Sequence, residues 1–146
     1  MIASVAVLML AACRETPTET ASDVAKAQEE AARESSEARR EARESVAEAD
    51  ADVAEAARAH DAAGEATRKK LSAVEAEAMI EHANASYDVA IAETEGRHAV
   101  ATEACDALTG VDKEACVSTA DATLAAERAS ATATRDAALV DAAHHD

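Results

Sequence analysis

The sequence predicts an all-α protein: a long Ala-rich helix followed by a disulfide-linked antiparallel α-hairpin, elongated rather than globular. Three observations carry that prediction. Alanine fills 44 of the 146 positions, and it is the strongest helix former, with Glu and Arg close behind. There is no Phe or Trp, and Tyr87 is the only aromatic residue. Few side chains therefore supply the large apolar area that drives a thick core, at roughly 25 cal/mol per Å². Proline occurs once, at Pro17, and the strongest turn signal lies around Gly110.

Taken in chain order, residues 1–12 read MIASVAVLMLAA and carry no charged side chain. The stretch is shorter than the roughly 20 residues of a membrane span and has the length of a signal-peptide apolar region. It runs directly into Leu10-Ala11-Ala12-Cys13. This tetrapeptide resembles the lipobox of bacterial lipoprotein precursors, in which a branched apolar residue and two small residues precede a cysteine. No Lys or Arg precedes Cys13, a departure from the family's usual basic start. The resemblance implies cleavage before Cys13, diacylglycerol on its sulfur and an acylated amino terminus. It places the mature chain in the cell envelope, lipid-anchored and facing the periplasm. Arg14, standing where an Asp would retain such a protein in the inner membrane, implies the outer membrane.

Residues 13–22 are expected to form the lipid anchor and a tether, since RETPTETAS holds the proline and no apolar run. Ser22 or Asp23 is a suitable N-cap for the helix that follows. Residues 23–77 then read as a charged Ala-rich helix, with i,i+4 pairs such as Glu29–Arg33 contributing about 0.2–0.5 kcal/mol each. Val46, Val53, His60, Thr67 and Val74 recur at heptad spacing, a poor seam for a coiled coil. This half has helix propensity but little to pack against. Gly64 and Gly96 stand alone in helical sequence and read as weak points or kinks, each costing about 1 kcal/mol relative to Ala. One continuous helix over 23–108 would be about 130 Å long.

Residues 78–146 are expected to form a helical hairpin with its turn at 109–112. Ile80, Tyr87, Ile91, His98, Ala101, Cys105 and Leu108 fall on one helical face. Gly110 is placed to take the left-handed conformation that ends a helix, and Asp112 to cap the next, with Glu114 in its first turn. Cys105 and Cys116 bracket that turn. With Cys13 lipidated they remain as an even pair in an oxidising compartment, and a structural disulfide is expected. A redox pair would read C-x-x-C, whereas ten residues separate these two. A zinc site would need two further ligands, and His98 is the one nearby candidate.

The stretch from Tyr87 to Ala122 also resembles Ala-rich proteobacterial periplasmic proteins that carry a TolA-like cell-envelope label. They share a Tyr-x-x-Ala start and a Cys-Asp-x-Leu-x-Gly turn followed by Ala-Cys. The resemblance covers about a quarter of the chain and implies no activity and no catalytic residues.

Acidic residues outnumber basic ones 30 to 14, giving a net charge of −16. The imbalance is 10 basic against 15 acidic from Arg14 to Lys70, and 4 against 15 from Leu71 to Asp146. Such a polyanion repels phosphate backbones, which excludes nucleic acid as a partner class. No His pair has metalloprotease spacing, and no phosphate loop or nucleophile elbow is present. His144-His145-Asp146 reads as a solvated chain end in preference to a metal site. No catalytic residue, metal or cofactor is expected. The sequence points to a non-catalytic cell-envelope lipoprotein acting as a helical spacer or interaction protein, held to the membrane through Cys13 and self-associating through helix faces. The alternative is an acidic periplasmic binding or stress protein for cations or basic polypeptides.

Overall fold

The computed structural model describes residues 16–145 except Gly64, with the side chains of 61–69 and His145 left out. Cys13 and the apolar segment before it lie outside the described residues. Three helices make up the fold: α1 (Pro17–Ala63), α2 (Glu65–Cys105) and α3 (Val111–His145). No strand occurs among the described residues. The long Ala-rich helix followed by a disulfide-linked antiparallel hairpin is what the structure contains.

The start of α1 corrects the tether expected over 13–22. Thr16 is the N-cap and Pro17 the first helical residue, where its missing N–H costs nothing and its fixed φ suits the helix. The Glu19 amide donates to Thr16 Oγ1 at 3.3 Å, while Glu19 Oε2 accepts from the Thr16 amide at 2.8 Å and from its hydroxyl at 2.9 Å. That is a reciprocal capping box. Ser22 and Asp23 therefore lie inside α1 and cap nothing; Asp23 instead accepts from Lys26 at 2.8 Å.

No single helix spans 23–108. α1 and α2 run antiparallel, as Arg39 paired with Glu93, Ser45 with Glu81 and Asp50 with His82 establish. The first arm of the hairpin thus begins at Glu65, not at 78. Gly64, between the two helices, lies outside the described residues. The expectation that α1 has little to pack against is overturned by its small residues. Ala49 and Ala56 are buried, with Val46 and Val53 half-buried beside them. Ala76, Ala78, Ala83 and Ala85 of α2 are buried as well. Alanine offers little area per residue, but short side chains let two helix backbones come close, so dispersion contacts form along their length.

Gly96 shows this most directly. α2 runs through it without interruption, contrary to the expected weak point. A Cβ built at position 96 would stand 2.7 Å from Ala31 Cβ. Glycine is here because the α1 backbone occupies the space a methyl would need.

α2 ends at Cys105, three residues earlier than the apolar spacing suggests. The amides of Asp106, Ala107 and Leu108 bond back to the carbonyls of Glu103, Ala104 and Cys105 in tightened turns. Gly110 has φ +59°, so its left-handed conformation is as expected but its place is not. Its carbonyl accepts from the Glu114 amide at 3.2 Å, which makes it the N-cap of α3 and puts Asp112 in the first turn. Lys113 and Asp106 pair at 2.7 Å across the turn. The expected α2 stripe meets α3 through Tyr87, His98 and Cys105, whereas its ends, Ile80 and Leu108, are 39% and 40% exposed.

Candidate functional site: a groove along the central helix

α2 is the middle element. α1 packs on one side of it and α3 on another, and among the described residues no close backbone approach joins the two flanking helices. A strip of α2 is consequently left between two walls. Along it lies an open groove of about 890 Å³.

One face of α2 lines it with Met79, Ala83, Tyr87, Ala90, Thr94 and Arg97, spaced 4, 4, 3, 4 and 3, the first four forming the floor. Val53 and Asp50 contribute from α1; Ala131, Arg135, Ala138 and Asp141 contribute from α3. Alanines at 83 and 90 keep the floor low, and Met79 and Tyr87 give it polarizable apolar surface.

Charged side chains on the rim are tied to one another. His82 Nε2 lies 3.0 Å from Asp50 Oδ1, joining α2 to α1. Arg97 donates to Glu127 at 2.8 Å and to Thr94 Oγ1 at 3.0 Å, joining α2 to α3. The hydrogen bond from Arg97 holds the Glu127 carboxyl below the ordinary carboxylate range. Arg135 stands 4.5 Å above the centre of the Tyr87 ring, and its hydrogen bonds to Asp136 raise its pKa further. Farther along, Arg128 donates to Glu95 at 2.6 Å. The acids Asp50, Glu75, Glu127 and Asp141 on the groove outnumber Arg97 and Arg135, even with Glu93 turned to Arg39.

Toward the turn the groove passes into a cleft of about 570 Å³ beside the disulfide, sharing Thr94, Arg97 and Glu127. Cys105 and Cys116 are bonded there with a Cα–Cα distance of 5.7 Å, and Cys105 is fully buried. His98, the candidate zinc ligand, is 2.8 Å from Asp121 instead. Among the described residues no three His, Cys, Asp or Glu side chains come together as a metal would require. Of the chain end, the His145 side chain and Asp146 lie outside the described residues.

Sequence reasoning located Cys105 and Cys116, placed Tyr87 only on a helical face, and missed His82, Thr94, Arg97 and Arg135. The Met79-to-Arg97 spacing was the available signal, but its alanines look the same in sequence as alanines facing solvent.

Glu19, Lys26, Glu127 and Arg135 are each held toward their charged forms by the hydrogen bonds they make. Comparison with family models, curated proteins and solved structures finds no match to this chain.

Proposed function

We propose that this chain is a non-catalytic interaction protein of the cell envelope, anchored by lipid on Cys13, whose helices hold a partner-binding groove away from the membrane. The observation that carries the interaction reading is the groove along α2, apolar at its floor and ringed by charge. Apolar floors give affinity and placed polar groups give orientation. The envelope reading is supported by the Leu10-Ala11-Ala12-Cys13 motif and by the Cys105–Cys116 bond, since such bonds persist in oxidising compartments. No helix among the described residues is long and apolar enough to cross a membrane. The spacer role is supported by α1, whose 47 residues span about 70 Å.

The acidic excess favours a second reading, in which the groove receives a basic polypeptide. Fractionation tests the first. The native protein is expected in the membrane fraction and a Cys13→Ser variant in the soluble periplasmic fraction; equal distribution of the two would remove the anchor. A groove-filling Ala90→Trp variant is expected to stay folded by circular dichroism and to lose partner crosslinks formed in intact cells. Unchanged crosslinks would remove the groove from the account.

A further inference from the structure

The geometry points to a second membrane contact: the α2–α3 turn, through Leu108 and Val111, rests on the lipid surface to which Cys13 ties the chain. This inference builds on the lipoprotein reading. Thr16 caps α1 three residues after Cys13, at most about 10 Å of extended chain. Gly96 lies against Ala31, and Glu103 is within electrostatic reach of Lys26. The last turns of α2, and the turn after them, are therefore level with the first turns of α1. The start of α1, three residues after Cys13, and the turn belong to the same end of the molecule.

At that end Val111 is 78% exposed, the most of any large apolar side chain described, and Leu108 is 40% exposed. A single exposed apolar residue is ordinary. Two within four positions of a turn, at the end where α1 starts, form a surface. The disulfide and the Lys113–Asp106 pair hold the turn in shape, so presenting Leu108 and Val111 requires no further ordering. Two side chains give weak adsorption alone, but a tether of a few residues raises their effective concentration at the bilayer. Lys113 balances Asp106, whereas Asp112 and Glu114 leave the tip negative. The surface it suits is zwitterionic lipid, with anionic lipid repelling it.

The chain has no tryptophan, so a Val111→Trp substitution gives a sole indole reporter. The acylated full-length variant is reconstituted in phosphatidylethanolamine–phosphatidylcholine vesicles containing lipids brominated near the headgroup. Its emission is expected to shift to the blue and to lose most of its intensity, less so when phosphatidylglycerol replaces phosphatidylcholine. Val140→Trp is the control: position 140 is 55% exposed and about 45 Å along α3 from Val111, and its emission is expected to be unaffected. An acylated protein whose indole at 111 is as unquenched as that at 140 overturns the contact and leaves the anchor standing. A mass showing no acyl groups on Cys13 overturns both.

Discussion

Gly96 of α2 lies so close to Ala31 of α1 that a methyl group at position 96 would come within 2.7 Å of the Ala31 Cβ. Cβ atoms cannot move without their backbone, so the two helices would have to separate. Gly96→Ala therefore sets two effects against each other. Helix propensity gains about 1 kcal/mol, and overpacking costs about 1–3 kcal/mol. Because α1 and α2 share a long interface, the steric cost wins. Urea denaturation followed by circular dichroism is expected to show a net loss of about 1 kcal/mol. Adding Ala31→Gly is expected to recover the packing part, and a stabilised single variant would contradict the close approach.

Reducing the Cys105–Cys116 bond should cost more. The bond closes a loop with a sequence separation of 11, and on the loop-entropy model that contributes roughly 3 kcal/mol. The paired Cys105→Ala, Cys116→Ala variant is expected to unfold at correspondingly lower urea and to be insensitive to dithiothreitol. The α2–α3 ion pairs are exposed, so they cannot compensate for the lost bond.

These two sites show unequal legibility. The hairpin and its bond could be read because Cys105, Gly110 and Cys116 are distinctive residues at telling distances. The antiparallel packing of α1 on α2 could not, because the residues that mediate it are Ala49, Ala56, Ala78 and Ala85, identical in type to the alanines on the outer faces. Periodicity needs contrast between apolar and small residues, and this chain supplies little. The groove was hidden for the same reason, and also because it depends on α1 and α3 lying apart across α2. Thr16-Pro17-Thr18-Glu19 was a different case. Its capping-box signal is present in the sequence, and the proline that suggested a tether is the first residue of the helix.

Acid should loosen the molecule at two identified carboxylates. Glu19, held by the Thr16 amide and hydroxyl, and Glu127, held by Arg97, both have depressed pKa values in the folded state. Their contributions are present above the unfolded-state pKa and disappear as pH falls through the lower folded value. The urea midpoint is expected to drop on acidification below the ordinary carboxylate range. A Thr16→Ala, Glu127→Gln double variant should show a smaller drop, and an unchanged pH profile would contradict both interactions.

Tyr87 is the only aromatic residue, so intrinsic emission reports on the groove alone. Arg135 covers its ring. Arg135→Ala is expected to lower the urea midpoint slightly, by removing a cation–π contact near the surface, and to open Tyr87 to quenching by acrylamide. Quenching equal to that of the parent protein would show that Arg135 does not shield the ring.

The most direct test of the envelope lipoprotein reading is the intact mass of the protein extracted from its native envelope fraction. The account predicts a chain beginning at Cys13, heavier by its acyl groups and lighter by the two hydrogens lost in forming the Cys105–Cys116 bond. An unmodified mass retaining residues 1–12, with three free thiols, would contradict the anchor, the compartment and the membrane contact of Leu108 and Val111 together.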